Sequence, residues 1–343
     1  MFSNNDQRFI MENVGDCWSK LAGKHIFITG GTGFIGKWIT GALLTANEFY
    51  GLRCKITILT RNANTFHKSN KFISNDPAVD FIDGDVRFLS FVGKSYDIII
   101  HAATDVSNKN HPIDTFNVCV KGTQSVLDFA LKSNASNFLL LSSGAVYGRQ
   151  PPELNSMSES FNGIPSRTNE QSAYGLGKIS AEWLVSEYSR SYNLNAKIAR
   201  CFAFVGPYIP MDKHFAIGNF IRDAIKGNPI LINGDGSQVR TYLYSAELSV
   251  WLLKILLDGK SGDIFNVGGE KEISIGGLAK LIGILINKKV PIITKKKING
   301  MLPPEKYVPD INLIKEKLGL YPKISLENSI DCTAKWLIKR GTF

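Results

Sequence analysis

The chain lacks the usual frameworks of metal and disulfide chemistry. Its five cysteines, Cys17, Cys54, Cys119, Cys201 and Cys332, are scattered and none belongs to a CxxC pair. Neither a metal cluster nor a disulfide scaffold is indicated by that spacing. The five histidines form no HxxxH or HExxH pattern, so a metal centre would need ligands gathered from distant loops. No apolar run approaches the roughly 18 residues that span a bilayer. The opening MFSNNDQRFIMENVGD mixes polar and charged residues and lacks the basic-then-apolar order of a secretory signal. The expectation is a cytoplasmic protein with no membrane partner. Internal repeats and low-complexity stretches are missing too. So is any dense Lys/Arg run interleaved with aromatics, which argues against a nucleic-acid partner.

What is present is an ordinary globular composition over 343 residues, enough for one large domain or two intimately packed ones. The net charge of +10 fits a lysine-rich background. It also fits a surface that attracts an anionic substrate such as a nucleoside diphosphate. The densest basic cluster, Lys295 to Lys297, follows a short apolar run and reads as a solvated edge.

Short apolar runs alternate with helical patterns. Lys24–Thr29, Lys55–Thr60, Val79–Ile82, Tyr96–His101, Asn137–Ser142 and Ala196–Arg200 read as strands. Residues 34–47, 112–133 and 174–192 read as helices. This alternation predicts an α/β fold, a doubly wound parallel sheet covered on both faces. Residues 1–22 read as a polar N-terminal extension with one helical turn near Asp16–Leu21. Residues 23–205 read as the sheet domain, with 242–266 returning to it. Segments 206–241 and 267–343 read as a smaller α/β substrate-binding domain. The long polar loop 148–171 is of a length usually tied to function.

Three features carry chemistry. First, Gly30, Gly33 and Gly36, with Thr32, Phe34 and Ile35 between them, follow a predicted strand and open a predicted helix. Such a GxxGxxG turn lets the backbone approach a dinucleotide pyrophosphate at a helix N-terminus; a ligandless glycine turn is the alternative. After the second strand stands Arg61, where many NAD sites place an acidic residue. An arginine there can hold the 2′-phosphate of NADP or be a solvated surface residue; the cofactor expected is NAD(P), favouring NADP.

Second, Tyr174 and Lys178 lie four residues apart, on one helix face. A neighbouring ammonium favours the phenolate and is expected to lower the phenol toward neutrality. Third, Ser142 and Ser143 end a predicted strand, at the edge where open parallel sheets bind ligands. Ser143 is placed to hydrogen-bond the oxygen that Tyr174 protonates, with a capping role as the alternative.

With TGGTGFIG at 29–36, Asp83-Gly84-Asp85-Val86, His101-Ala102-Ala103-Thr104, SSGAVYG at 142–148, Tyr174/Lys178, and Arg240 in RTYLY at 240–244, the chain resembles the extended short-chain dehydrogenase/reductase family. It is most similar to the sugar-nucleotide epimerases, dehydratases and 4-keto reductases of that family, and the likeness runs from about Lys24 to the C-terminal helix.

The resemblance implies a Rossmann-type sheet and a nucleotide-diphosphate sugar substrate. It implies a homodimer built through the 112–133 and 174–192 helices. By the same resemblance Asp85 and Val86 hold adenine, while Ala102, Ala103 and Thr104 line the nicotinamide side. Asn117 and Ser142 complete the cofactor contacts. Ser143, Tyr174 and Lys178 are catalytic. Arg240 grips the substrate pyrophosphate, and Gly144 and Ala145 face the sugar; Asn219 is a further substrate-binding candidate by its place in the segment 207–220 rather than by the resemblance.

Departures narrow the chemistry. The 4,6-dehydratases carry an Asp-Glu pair after the strand-end hydroxyl, and the decarboxylases usually a glutamate. Here those positions are Gly144 and Ala145, neither an acid nor a base. What remains is chemistry at sugar C4, by a 4-keto reductase or a 4-epimerase. The alternatives are a dehydratase using substitute acids such as Glu153, Glu159 or Glu170, and a non-catalytic dinucleotide-binding protein. Ala203 and Thr241 replace a family asparagine and aspartate. His214 lies in the segment 207–220, which is expected to line the substrate pocket.

Overall fold

Alternation within each strand decides the architecture. Ile26 and Ile28 enter one core while Phe27 between them enters another. Ile98 and Ile100 likewise oppose Ile99, and Leu139 and Leu141 oppose Phe138 and Leu140. Side chains of a strand point alternately to its two faces, so a strand apolar at every position must be covered on both sides. The computed structural model describes residues 2–90, 93–104, 111–211, 215–296 and 303–341. His214 and Lys297 lie outside the described residues.

Seven parallel strands form the sheet, in the order Ile264–Val267, Asn195–Cys201, Asn137–Ser143, Ile98–His101, His25–Thr29, Lys55–Thr60 and Val79–Asp83. The strand order reverses between His25–Thr29 and Ile98–His101. In an open doubly wound sheet this switch point opens a crevice beyond the strands' carboxyl ends. The helices Phe34–Tyr50 and Ser245–Asp258 cover one face, and Pro112–Lys132 and Ala173–Tyr192 the other.

The N-terminal segment differs from its sequence reading. It forms a helix over Asn4–Val14 and a 3-10 helix over Gly15–Leu21. Ser3 caps the first through its hydroxyl, which accepts from the Asp6 amide at 3.1 Å, while the Asp6 carboxylate accepts from the Ser3 amide at 3.1 Å. Such a reciprocal cap satisfies two otherwise orphaned donors. Ile10, Met11 and Val14 are buried. Phe2 stacks on Trp38 with ring centroids 3.9 Å apart. A Cβ on Gly41 would overlap the Phe2 ring, so glycine at 41 is what admits it.

A smaller core gathers the helices Ala216–Lys226, Ile275–Ile286 and Leu326–Arg340 around Phe220, Ile221, Leu278, Ile282 and Ile330. Three two-residue strands, in the order Ile273–Ser274, Val239–Arg240 and Lys306–Tyr307, bring distant segments together. Among the described residues no helix is long and apolar enough to cross a membrane.

Candidate active site

The glycine loop is shaped by close approach. Gly30 has φ of 71°, and a Cβ there would sit 2.7 Å from the Ala102 carbonyl carbon and 2.8 Å from the Ala103 nitrogen. A Cβ on Gly36 would overlap the Gly30 carbonyl. Gly33 is the N-cap of the helix Phe34–Tyr50 and supplies no side-chain cap. The first-turn amides of that helix therefore keep their donors for another partner. Gly33 is itself exposed, and a Cβ there would meet only the Gly30 carbonyl, at 3.2 Å. An uncapped helix start behind a bare backbone fits a dinucleotide pyrophosphate.

In front of the loop lies a cleft of about 980 Å³, at the upper end of the range for small-molecule sites. Ser143 ends the strand Asn137–Ser143, and its Oγ accepts from the Ala145 amide at 3.1 Å, starting the 3-10 turn Gly144–Tyr147. The helix Ala173–Tyr192 must press close to bring Tyr174 and Lys178 to this point. A Cβ on Gly175 would lie 2.6 Å from the Ala145 carbonyl oxygen, and one on Gly177 would lie 2.7 Å from the Cys119 Cβ. The two glycines between the tyrosine and the lysine are thus what let the helix seat.

Lys178 is buried. Its Nζ donates to the Leu141 carbonyl at 2.7 Å and to Thr104 Oγ1 at 2.9 Å, and burial pulls its pKa down. The ammonium lies 5.9 Å from the centroid of the Tyr174 ring. The sequence predicts a phenol lowered by this cation. The structure gives the opposite direction: burial pushes the Tyr174 phenol up, and hydrogen bonding to Ser143 offsets part of that. Desolvation disfavours the phenolate, and the lysine is spent on other partners.

Beneath the cleft a buried polar network holds the strand ends. Ser142 donates to Glu182 at 2.5 Å. Glu182 pairs with Arg200 at 2.7 Å, Arg200 donates to the Tyr147 hydroxyl at 2.9 Å, and Tyr147 donates to Asn266 at 2.8 Å. On the other side of Lys178, His101 lies between Thr29 Oγ1 at 2.7 Å and Thr123 Oγ1 at 3.1 Å. Burial, helped by the Lys178 charge, lowers the imidazole to about 3.

The cleft wall brings together much of the residue set expected from sequence: Gly30, Gly33, Phe34, Ile35 and Gly36 from the loop, Ala102 and Thr104, Ser142, Ser143, Ala145, Tyr174, Lys178 and Arg240. Other expected residues stand off it. The Asp85 carboxylate is held by Arg87 at 2.7 and 3.0 Å, hydrogen bonds that lower its pKa. Val86 is buried, 3.0 Å from where a Cβ on Gly122 would lie. Arg61 is exposed just past the strand Lys55–Thr60, near enough that its charge also lowers Asp85. Thr32 and Ala103 lie outside the wall, with the Ala103 amide donating to Thr29 Oγ1 at 3.2 Å. The helix Pro112–Lys132 contributes Pro112 and Thr115 rather than Asn117. Ala216 and Ile217 face the cleft in place of Asn219, whose side-chain oxygen is 3.5 Å from Arg222. Ala203 and Glu170 are part of the wall, whereas Thr241 is buried.

Gly144 is shut off by a residue the sequence did not point to. A Cβ at Gly144 would lie 2.6 Å from the Tyr307 hydroxyl and 2.7 Å from Phe202. Tyr307 is packed on Phe202 at 4.6 Å between centroids, and burial pushes its phenol up to about 12. Its backbone pairs with Arg240, whose guanidinium lies 5.6 Å from the Tyr307 ring and bonds Glu305 at 3.1 Å. No local periodicity marks Tyr307 in the sequence, because its neighbours arrive from distant segments.

The family model described as NAD dependent epimerase/dehydratase family matches residues 26–268. UDP-glucuronic acid decarboxylase 2 of Arabidopsis thaliana is 30% identical over 319 residues, covering 92% of this chain and 68% of the relative. Among solved structures, an epimerase from Methanothermobacter thermautotrophicus superposes with a TM-score of 0.81 at 21% identity, covering 96% of each chain. UDP-glucuronic acid 4-epimerase from Bacillus cereus, solved with UDP-glucuronic acid and NAD, gives 0.76 at 22% identity, covering 92% of this chain and 99% of that one.

Proposed function

We propose, for a chain that belongs to the NAD dependent epimerase/dehydratase family, an NAD(P)-dependent nucleotide-sugar oxidoreductase that works at sugar C4, as a 4-keto reductase or a 4-epimerase. The observation that carries this reading is the pairing of Ser143, Tyr174 and Lys178 in one cleft with a Gly144 whose flank is filled by Tyr307 and Phe202. The site offers a proton at one carbon and no acid at positions 144 and 145 for the elimination of water. A dinucleotide whose pyrophosphate is held at the glycine loop would supply, through its nicotinamide, the hydride acceptor or donor.

In this reading Tyr174 exchanges the proton of the C4 hydroxyl, and Ser143 hydrogen-bonds the same oxygen. Lys178 fixes the strand end and the Thr104 turn through its two bonds, and its charge favours the phenolate once an oxygen of the substrate replaces bulk solvent nearby. Arg240 takes the substrate pyrophosphate with a fork-shaped donor set, in exchange for Glu305. Arg61 supports NADP over NAD. The exposed Ile113, Phe116, Trp183 and Tyr192 on the two long helices support a homodimer through that face.

A second reading is favoured by the relatives that are UDP-glucuronic acid decarboxylases. Oxidation at C4 followed by loss of a C6 carboxylate uses the same tyrosine. The test is mass spectrometry of the cofactor that co-purifies, then turnover on a panel of hydroxy, 4-keto and uronic nucleotide sugars with wild type and Tyr174→Phe. Turnover at C4 without loss of carbon dioxide, abolished in Tyr174→Phe, is expected. Release of carbon dioxide from a uronic substrate selects the second reading, and unchanged turnover in Tyr174→Phe overturns both.

A further inference from the structure

We propose that the outer edge of the smaller core, where the helix Ile275–Ile286 meets the strands Ile230–Ile232 and Ile292–Thr294, docks on a bilayer surface rich in anionic headgroups. Between Glu272 and Glu305 the sequence holds no aspartate or glutamate, while Lys280, Lys288, Lys289 and Lys295 to Lys297 fall inside that span. Charge of one sign is thus gathered on a chain that elsewhere mixes both. None of Leu231, Ile284, Leu285 and Ile293 lines the cleft, so the surface does not depend on the reaction there.

The fold turns the span into a rimmed apolar patch. The two strands pair in parallel, with Ile293 in register with Leu231. Ile230 and Ile232 enter the small core, which turns Leu231 between them outward. Leu231 is exposed, and its register partner Ile293 is 46% exposed. A Cβ on Gly283 would lie 3.9 Å from Ile292 Cδ1, so the end of the helix abuts the strand. Ile284, 60% exposed, and Leu285 stand on that helix end. Lys280 lies one turn before Ile284, on the same helix face. Lys288 and Lys289 occupy the turn between helix and strand, and Lys295 and Lys296 follow the strand directly. All five lysines are exposed, and among the described residues none is in an ion pair. Lysines just outside the span behave differently: Lys271 pairs with Glu327 at 3.3 Å and Lys306 with Glu272 at 3.2 Å.

Unpaired lysines around exposed aliphatics select the occupant. A second copy would set lysines against lysines. Proteins that hold nucleic-acid strands combine basic groups with aromatic platforms, and residues 273–304 contain no aromatic side chain. A three-residue edge flanked by lysines is built against strand addition. Aliphatic side chains entering the headgroup region, with ammonium groups at the level of the phosphates, are what hold a protein on an anionic leaflet. The contact is peripheral and needs no spanning helix; it departs from the sequence expectation of no membrane partner.

The test is co-sedimentation of the full chain with vesicles. Binding is expected to mixed phosphatidylcholine–phosphatidylglycerol vesicles and not to phosphatidylcholine alone. Lys288→Gln with Lys289→Gln should weaken it by about tenfold or more, and Ile284→Asn with Ile293→Asn by about tenfold. Lys68→Gln with Lys71→Gln, which removes the same charge from exposed positions on the sheet domain, should leave binding within about twofold. Failure to bind the mixed vesicles overturns the proposal. Equal losses for the two lysine pairs overturn it by assigning the binding to net charge, and binding indifferent to the isoleucine substitutions overturns the docked patch. Capture by polyglutamate without vesicle binding overturns it in favour of an acidic protein partner.

Discussion

The Lys178 ammonium lies 5.9 Å from the centroid of the Tyr174 ring and donates to the Leu141 carbonyl and to Thr104. The lysine thereby ties three chain segments together at the cleft floor. Replacing it by methionine keeps the stem and removes the donor. Lys178→Met is expected to lower turnover by about 10²-fold or more and to weaken cofactor binding, as checked by steady-state kinetics and calorimetric titration.

The pair Glu182–Arg200, with side chains 9% and 13% exposed, sits in the network under Ser142. Removing one partner leaves the other charge buried and uncompensated. Glu182→Ala is expected to lower the unfolding free energy by about 3–5 kcal/mol. Urea denaturation followed by circular dichroism would register the loss as a lower midpoint.

Glu247 provides a pH dependence of stability. It is 1% exposed and accepts from the Ile324 amide at 3.1 Å and from the Lys323 amide. Burial raises its pKa from 4.5 to about 7. Between those values the folded chain holds a proton that the unfolded chain has released, so stability falls as pH rises from about 4.5 to about 7. The loss is on the order of 3 kcal/mol. Glu247→Gln should flatten this slope and melt at a higher temperature than wild type at pH 8; thermal scans across the range would show it.

The proposed preference for NADP is tested at Arg61. If it holds a 2′-phosphate, Arg61→Ala should weaken NADPH binding by about tenfold or more, while NADH binding stays within twofold. Fluorescence titration with each nucleotide separates the two. Equal losses for both would remove the preference for NADP.

The fold class was readable because every central strand is apolar at successive positions, with Phe27, Ile99 and Leu140 feeding one core and their neighbours the other. The glycine loop was readable because turn, cradle and helix start are contiguous. Other features depend on partners remote in sequence. The helix Asn4–Val14 has a polar composition that hides the burial of Ile10 and Met11. Glu182 has the look of a solvated helix acid until Arg200 is brought to it from the next strand. Tyr307 enters only through a two-residue pairing with Arg240. The direction of the Tyr174 shift depends on burial, which spacing alone does not report.

His101, clamped between two threonine hydroxyls with an imidazole that charges only near pH 3, makes the centre of the sheet electrically silent across physiological conditions. Histidines ordinarily change charge there and blur the assignment of kinetic pH limbs. Here the neighbour of the reacting groups contributes no limb. An inflection in a rate profile near neutrality then has its origin elsewhere than in His101, the one histidine that lies between the two threonine hydroxyls at the sheet's switch point.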